Sequence, residues 1–231
     1  MCCTRALPIV FILFIFGLAS LDAAEPGFSP LFNGKDLKGW FTIGHREALA
    51  VTETGDLVND TGKSVFLVTE QDYSDFILRF RVKYDKLPKD SGWDRGVLFR
   101  SKPIWSMYSG DDGKAVRKEM SNLEGPLMAT YPKPDMRGVI IWCGAGFKEK
   151  PDPQAIKVAL NPDPSGWNHY EIAVVGRKTV IRINGVKVID KHVKYDVESI
   201  KWGFTKIAFR IGRKVRYRDI RIKDLTKTLR K

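Results

Sequence analysis

Phe76-Ile-Leu-Arg-Phe-Arg-Val-Lys-Tyr84 places Phe76, Leu78, Phe80, Val82 and Tyr84 on one side and Arg79, Arg81 and Lys83 on the other. A period of two is the signature of a β-strand, whose successive side chains leave opposite faces. Five apolar side chains in a row need a second layer to cover them, so the segment predicts one sheet packed against another. Further strand candidates are residues 65–69, 96–101, 138–143, 169–175, 180–183, 186–189, 207–211 and 215–222. Asn184-Gly185 lies between two of these runs, and both residues tolerate positive φ, which marks a two-residue hairpin. No long amphipathic helix and no internal repeat is visible. Many short strands separated by turn signals predict an all-β chain, a sandwich or jelly roll of two antiparallel sheets.

The N-terminus reads as an export signal. Arg5 provides a positive start, residues 6–19 are nearly all apolar, and small residues follow at Ala19, Ser20, Ala23 and Ala24. The apolar run is shorter than the roughly 20 residues of a membrane span. Cleavage is expected after Ala19 or near Ala23/Ala24, giving a signal peptide over residues 1–24 and a single domain over 25–231. Cys2 and Cys3 precede the apolar run, whereas a lipid-modified cysteine would follow it. The mature chain of about 207 residues would be periplasmic or extracellular and would keep only Cys143. It cannot form an internal disulfide, and Cys143 between Trp142 and Gly144 reads as a small buried hydrophobe.

The net charge is +12, and loss of the signal leaves 38 basic against 26 acidic side chains. Residues 201–231 alone hold twelve Lys/Arg and two Asp. Within them, residues 213–223 alternate apolar with basic side chains, the pattern of a strand with a cationic solvent face. The export signal and the lack of a reader motif speak against nucleic acid. An anionic glycan or an envelope surface is the partner expected of this basic C-terminal region.

No Gly-x-Ser-x-Gly elbow and no zinc-type His/Cys cluster is present. Only His45, His169 and His192 are available, at unrelated spacings. Chemistry therefore falls to carboxylates, histidines or a bound metal. No cofactor is expected, though a divalent cation is compatible with this inventory.

Leu-Phe-Asn-Gly-Lys-Asp-Leu-Lys-Gly-Trp spans residues 31–40, with a turn signal at Asn33-Gly34 and apolar anchors at Leu37 and Trp40. Four more segments follow in order. They are residues 66–81, with Leu67-Val-Thr69, Tyr73 and Asp75-Phe76; Arg95-Gly-Val-Leu-Phe-Arg100; Gly166-Trp-Asn-His-Tyr-Glu-Ile172 with the hairpin Ile183-Asn-Gly-Val-Lys-Val-Ile-Asp190; and Val215-Arg-Tyr-Arg-Asp-Ile-Arg-Ile-Lys-Asp-Leu225. Together they resemble the 3-keto-disaccharide hydrolase domain family. That resemblance implies a concanavalin A-like β-sandwich and cleavage of glycosidic bonds in 3-keto-disaccharides or related glycosides. Two departures bear on substrate and activity. Asp90-Ser-Gly-Trp-Asp-Arg-Gly96 has additional residues and an arginine where the family commonly has Asn-Ser-Gly, and Thr205-Lys-Ile-Ala-Phe-Arg210 lacks the family's glutamine.

The resemblance also implies a glutamate on the strand after Ser-Gly-Ile-x-x-Arg, for which Glu119 and Glu124 are the counterparts here; Asp94 is a weaker partner. In a 3-keto sugar the carbonyl acidifies the hydrogen on carbon 2, so loss of the aglycone from carbon 1 becomes a β-elimination followed by water addition. Glu119 or Glu124 would be the base, Arg100 would hold the enolate oxygen, and His169 would donate a proton. For Arg100 a salt-bridged strand end is an equal alternative. Two carboxylates flanking the glycosidic bond would be another mechanism. Trp93, Trp105, Tyr108, Tyr131 and Trp142 lie in or beside residues 101–137, a Gly- and Pro-containing stretch that reads as a long loop, and could stack on sugar rings. The competing function is a non-catalytic, lectin-like glycan-binding module, since the sandwich suits both.

Overall fold

The alternation in residues 76–84 becomes a strand in which Phe76, Leu78, Phe80 and Val82 are buried, while Ile77, Arg79, Arg81 and Lys83 are only partly so. The computed structural model describes residues 25–59, 61, 63–84, 95–109, 115–130, 138–143, 148–159, 162–192, 205–212 and 214–226, with backbone alone at 105–109, 115–122, 141–143 and 148. Along them run β1 (Ser29–Pro30), β2 (Trp40–Gly44), β3 (Leu49–Val51), β4 (Leu57–Asn59), β5 (Val65–Thr69), β6 (Phe76–Tyr84), β7 (Gly96–Ser109) and β8 (Ala115–Ala129). Next come β9 (Ile140–Cys143), β10 (Lys148–Glu149), helix α1 (Pro153–Ala159), β11 (Asn168–Val175), β12 (Lys178–Ile183), β13 (Val186–His192), β14 (Lys206–Ile211) and β15 (Val215–Asp224).

The strands form two antiparallel sheets. The first has the order β13-β12-β11-β6-β15-β4-β3, with β1 added against β15; the second has the order β10-β9-β8-β7-β14-β5-β2. Phe209 of β14 joins the layers. It meets Phe80 of β6 edge-on at 5.2 Å and Tyr217 of β15 at 5.3 Å, and Trp40 of β2 packs against it at 5.9 Å. Phe80 in turn stacks on Tyr170 of β11 at 5.3 Å. Such aromatic pairs add about 0.5–1.5 kcal/mol each beyond the area they bury.

Residues 31–40 form a tied loop. The Asn33 carbonyl oxygen accepts from the backbone N–H groups of Lys35 and Asp36, and the Trp40 indole donates to the Leu31 carbonyl. Asn184 and Gly185 both have positive φ, 50° and 81°, as the β12–β13 hairpin requires. α1 is seven residues long. Asp152 caps it by accepting from Gln154 and Ala155, and Pro153 stands at its first position.

The stretch expected to be a long loop is mostly strand. β7 and β8 pair from Gly96↔Ala129 out to Ser109↔Ala115, with register shifts at three places. The first shift sets Phe99, Arg100 and Ser101 opposite Gly125 and Pro126, with Arg100 at φ 47° and Gly125 at φ 149°. Bulges interrupt the period of two, which hides these strands from a pattern reading. β8 comes within 8 Å of β2, although β7, β14 and β5 separate the two in the sheet, and Leu123 of β8 joins Ile43 of β2 in one apolar cluster. The hairpin therefore curls over the outer face of the second sheet.

Candidate functional site

The outer faces of the two sheets differ in kind. On the second sheet, residues that alternate with the core form another apolar cluster: Ile43, Val68, Leu98, Leu123, Leu127 and Ala208, with Phe41 and Phe66 against them. All six are buried, so this part of the face is apolar and covered among the described residues.

The first sheet's outer face is polar. Since Phe80, Tyr170 and Tyr217 face the core, β6 must turn Arg79 and Arg81 outward, β11 His169 and Glu171, and β15 Arg216 and Arg218. The register aligns Arg81 with His169 and Arg218, and Arg79 with Glu171 and Arg221; Arg182 of β12 faces Glu171. A bulge between Arg218 and Arg221 holds Asp219 at φ 52° and brings its carboxylate 3.1 Å from Arg81 Nε. All of these outward side chains except Arg216 and Arg218 line a groove of about 250 Å³.

Charge in the groove is ordered. Glu171 accepts from Arg79 Nε at 2.7 Å and from Arg182 Nη1 at 2.6 Å. Arg79 also pairs with Glu25 and lies over the Phe28 ring at 4.4 Å. His169 Nε2 meets Asp163 Oδ2 at 3.1 Å. Hydrogen bonds, first of all from the Ser165 hydroxyl and then from the Trp167 backbone, hold the Asp163 carboxyl well below the usual range, so it is anionic at neutral pH. With Nε2 directed to Asp163, Nδ1 is the nitrogen left for proton exchange. Such an array of fixed donors and acceptors suits a polyhydroxylated ligand. Among the described residues no group of three or more His, Cys, Asp or Glu side chains is placed to hold a metal ion.

A family model described as a 3-keto-alpha-glucoside-1,2-lyase-like domain matches residues 27–223. The chain belongs to this family. Its function is therefore carbohydrate-related. A candidate glycosyl hydrolase of Parabacteroides distasonis has a similar crystal structure, with 18% identity over 86% of this chain and 99% of that one and a TM-score of 0.50. A Bacillus subtilis protein of unknown function with a galectin-like fold matches at 13% identity over 85% and 94% of the two chains, TM-score 0.51. At these identities the likenesses show the shared jelly-roll sandwich alone. No curated protein is detectably similar in sequence.

Of the site residues expected from the sequence, the three whose side chains are described, Arg100, Glu124 and His169, lie apart. His169 lies in the groove, half-exposed. Glu124 is half-buried on β8, across from Lys102 of β7, and so belongs to the other sheet. Arg100 is fully buried. Its Nη2 pairs with Asp75 Oδ1 at 2.6 Å, its Nε donates to the Ser74 carbonyl at 2.9 Å, and its Nη1 donates to the Gly176 carbonyl. That is the salt-bridged strand end, and an enolate could not reach it. Glu119, Trp105 and Tyr108 lie in the β7–β8 hairpin and Trp142 in β9, described by backbone alone; Trp93, Asp94 and Tyr131 lie outside the described residues. Trp167 is buried, with the Arg218 guanidinium 3.9 Å above its ring. The groove's other residues, Arg79, Arg81, Glu171, Arg182, Asp219 and Arg221, were legible only as outward members of alternating strands. That four strands bring them together is a fact of topology.

Proposed function

We propose that the protein cleaves 3-keto glycosides by elimination, with the sugar held in the groove on the first sheet. The observation that carries this reading is the Asp163–His169 pair beside the guanidinium groups of Arg79 and Arg81. His169 Nδ1 takes the proton from carbon 2, and the electron pair moves to the carbon 3 oxygen, where a guanidinium holds the enolate. The enolate collapses, the bond from carbon 1 to the aglycone oxygen breaks, and that oxygen takes a proton from water in the open groove. Water then adds across the new double bond. Recognition without cleavage is the second reading, favoured by one observation: both groove carboxylates are ion-paired with arginines, which leaves neither free as a base.

The test is turnover of a 3-keto-disaccharide and its unmodified parent in deuterated water, following carbon 2 exchange and aglycone release. His169→Gln is expected to lower kcat by about 10²–10⁴-fold with substrate binding retained. Equal activity of variant and parent, or loss confined to a Glu119→Gln/Glu124→Gln double variant, would move the chemistry out of the groove. Binding of the sugar by the parent without any turnover would establish the recognition reading. Export is part of the same proposal, supported by Arg5 and the apolar run that follows it. Intact mass of the secreted chain would place the cut.

A further inference from the structure

Among the described residues, Arg221 is the one arginine lining the groove that has no carboxylate partner. Arg79, Arg81, Arg182 and Arg218 each pair with a carboxylate. Arg221 has no ion-pair partner among the described residues, and its Nε is buried without a hydrogen-bond acceptor. The groove as a whole holds four arginines against two carboxylates. A guanidinium matches the two oxygens of a carboxylate or sulfate in geometry as well as charge.

Arg221 also stands at a boundary. Across the Asp219 bulge lies a second hollow of about 470 Å³, lined by Asn33, Gly34, Thr54, Gly55, Arg218 and Arg221 among others. Asn33 and Gly34 come from the loop of residues 31–40, which thus walls a cavity as well as bracing the sandwich. Asp219 and Arg221 line both hollows, so a ligand long enough to occupy the two would lie against Arg221.

We infer that the open face takes an acidic oligosaccharide, with a sugar carboxylate or sulfate seated on Arg221 between the two hollows. This rests on the groove being the saccharide site and adds the ligand's charge and the position of its anion. The carboxylates Glu171, Asp219 and Asp56 among the arginines disfavour the unbroken phosphate row of a nucleic acid or an anionic membrane. They leave room for single anions spaced by hydroxyls.

Calorimetric titration of the full chain with trigalacturonic acid and its neutral methyl ester tests the inference, with a sulfated disaccharide and its desulfated twin as the second arm. The acidic form of at least one pair is expected to bind tenfold or more tightly, about 1.4 kcal/mol, with the advantage shrinking as salt is added. The arm that shows it identifies the anion. Arg221→Gln should erase the ratio, bringing the acidic form's affinity down to that of the neutral form on the same variant. Arg182→Gln, whose side chain is 43% exposed, should keep the preference for the acidic form, which separates the seat at Arg221 from the general charge of the groove. Equal binding of acidic and neutral forms overturns the anion seat while leaving the groove as a sugar site. Binding of neither form, or binding only of anionic vesicles or duplex DNA, overturns both.

Discussion

Asp75→Ala removes a carboxylate paired with the fully buried Arg100 guanidinium. The Asp75 Oδ1 atom accepts from Arg100 at 2.6 Å and from the Gly176 backbone at 2.9 Å, tying the start of β6 to the β11–β12 turn, while Arg100 comes from β7 in the opposite sheet. Stranding one member of a buried pair typically costs about 3–5 kcal/mol. For a domain of this size each kcal/mol moves the melting midpoint by roughly 2–4 °C, so a fall of roughly 6–20 °C is expected. Urea denaturation followed by tryptophan fluorescence gives the free energy directly. Two comparisons make the result specific. Asp190→Ala breaks exposed contacts to Lys178 and Lys187 and should leave the midpoint within error. The Arg100→Met/Asp75→Ala double variant should lose less than the sum of the single variants, because it removes the stranded charge. A loss below about 1 kcal/mol for Asp75→Ala would refute the claim that this pair holds the sheets together.

Two further outcomes follow from the bulge and from the carboxylates. A Cβ on Gly125 would lie 2.9 Å from the Ser101 Cα, at a φ of 149°, so Gly125→Ala should cost about 2–3 kcal/mol in urea denaturation. Gly185→Ala, with φ 81° but nothing within 4 Å, should cost about 1 kcal/mol; equal losses would mean that β7 and β8 do not close on each other at the bulge. Asp163 has a native carboxyl held below its ordinary value, so its stabilising share is complete above about pH 4 and disappears as pH falls through the native value. Stability of the parent should fall below pH 4, and Asp163→Asn should flatten that fall; parallel curves for the two proteins would show that Asp163 is not held in this way.

What could be read in the sequence depended on whether a strand keeps its phase. β6 could be read throughout, because every second side chain from Phe76 to Val82 enters the core. The β12–β13 hairpin could be read from two residues. β7 and β8 could not, because their three register shifts mix the faces. α1 was missed because seven residues hold too few turns for a helical period, even though Asp152-Pro153 marks its start. The site was harder still. Alternation says that Arg79, Glu171 and Arg221 leave the core, but only the sheet order brings them side by side. Nor does alternation say which outer face stays open. The curl of the β7–β8 hairpin covers part of the second sheet, and the sheet order leaves Glu124 and His169 in different layers.

The Asp219 bulge shows how one residue joins fold to site. A strict period of two from Val215 would put Ile220 and Ile222 outside and Arg221 and Lys223 in the core. Two consecutive polar residues, Arg218-Asp219, mark where the phase slips, and aspartate is among the few residues that accept left-handed backbone readily. Absorbing one extra residue there returns Ile220 and Ile222 to the interior, where they are 0% and 3% exposed. A one-residue slip exchanges the faces of a strand, so the same step turns Arg221 outward beside Arg79. Packing demands the slip, because without it two cations would enter the sandwich and two isoleucines would leave it. The groove inherits the result: a carboxylate placed on Arg81, and a guanidinium set between two hollows with no carboxylate of its own among the described residues.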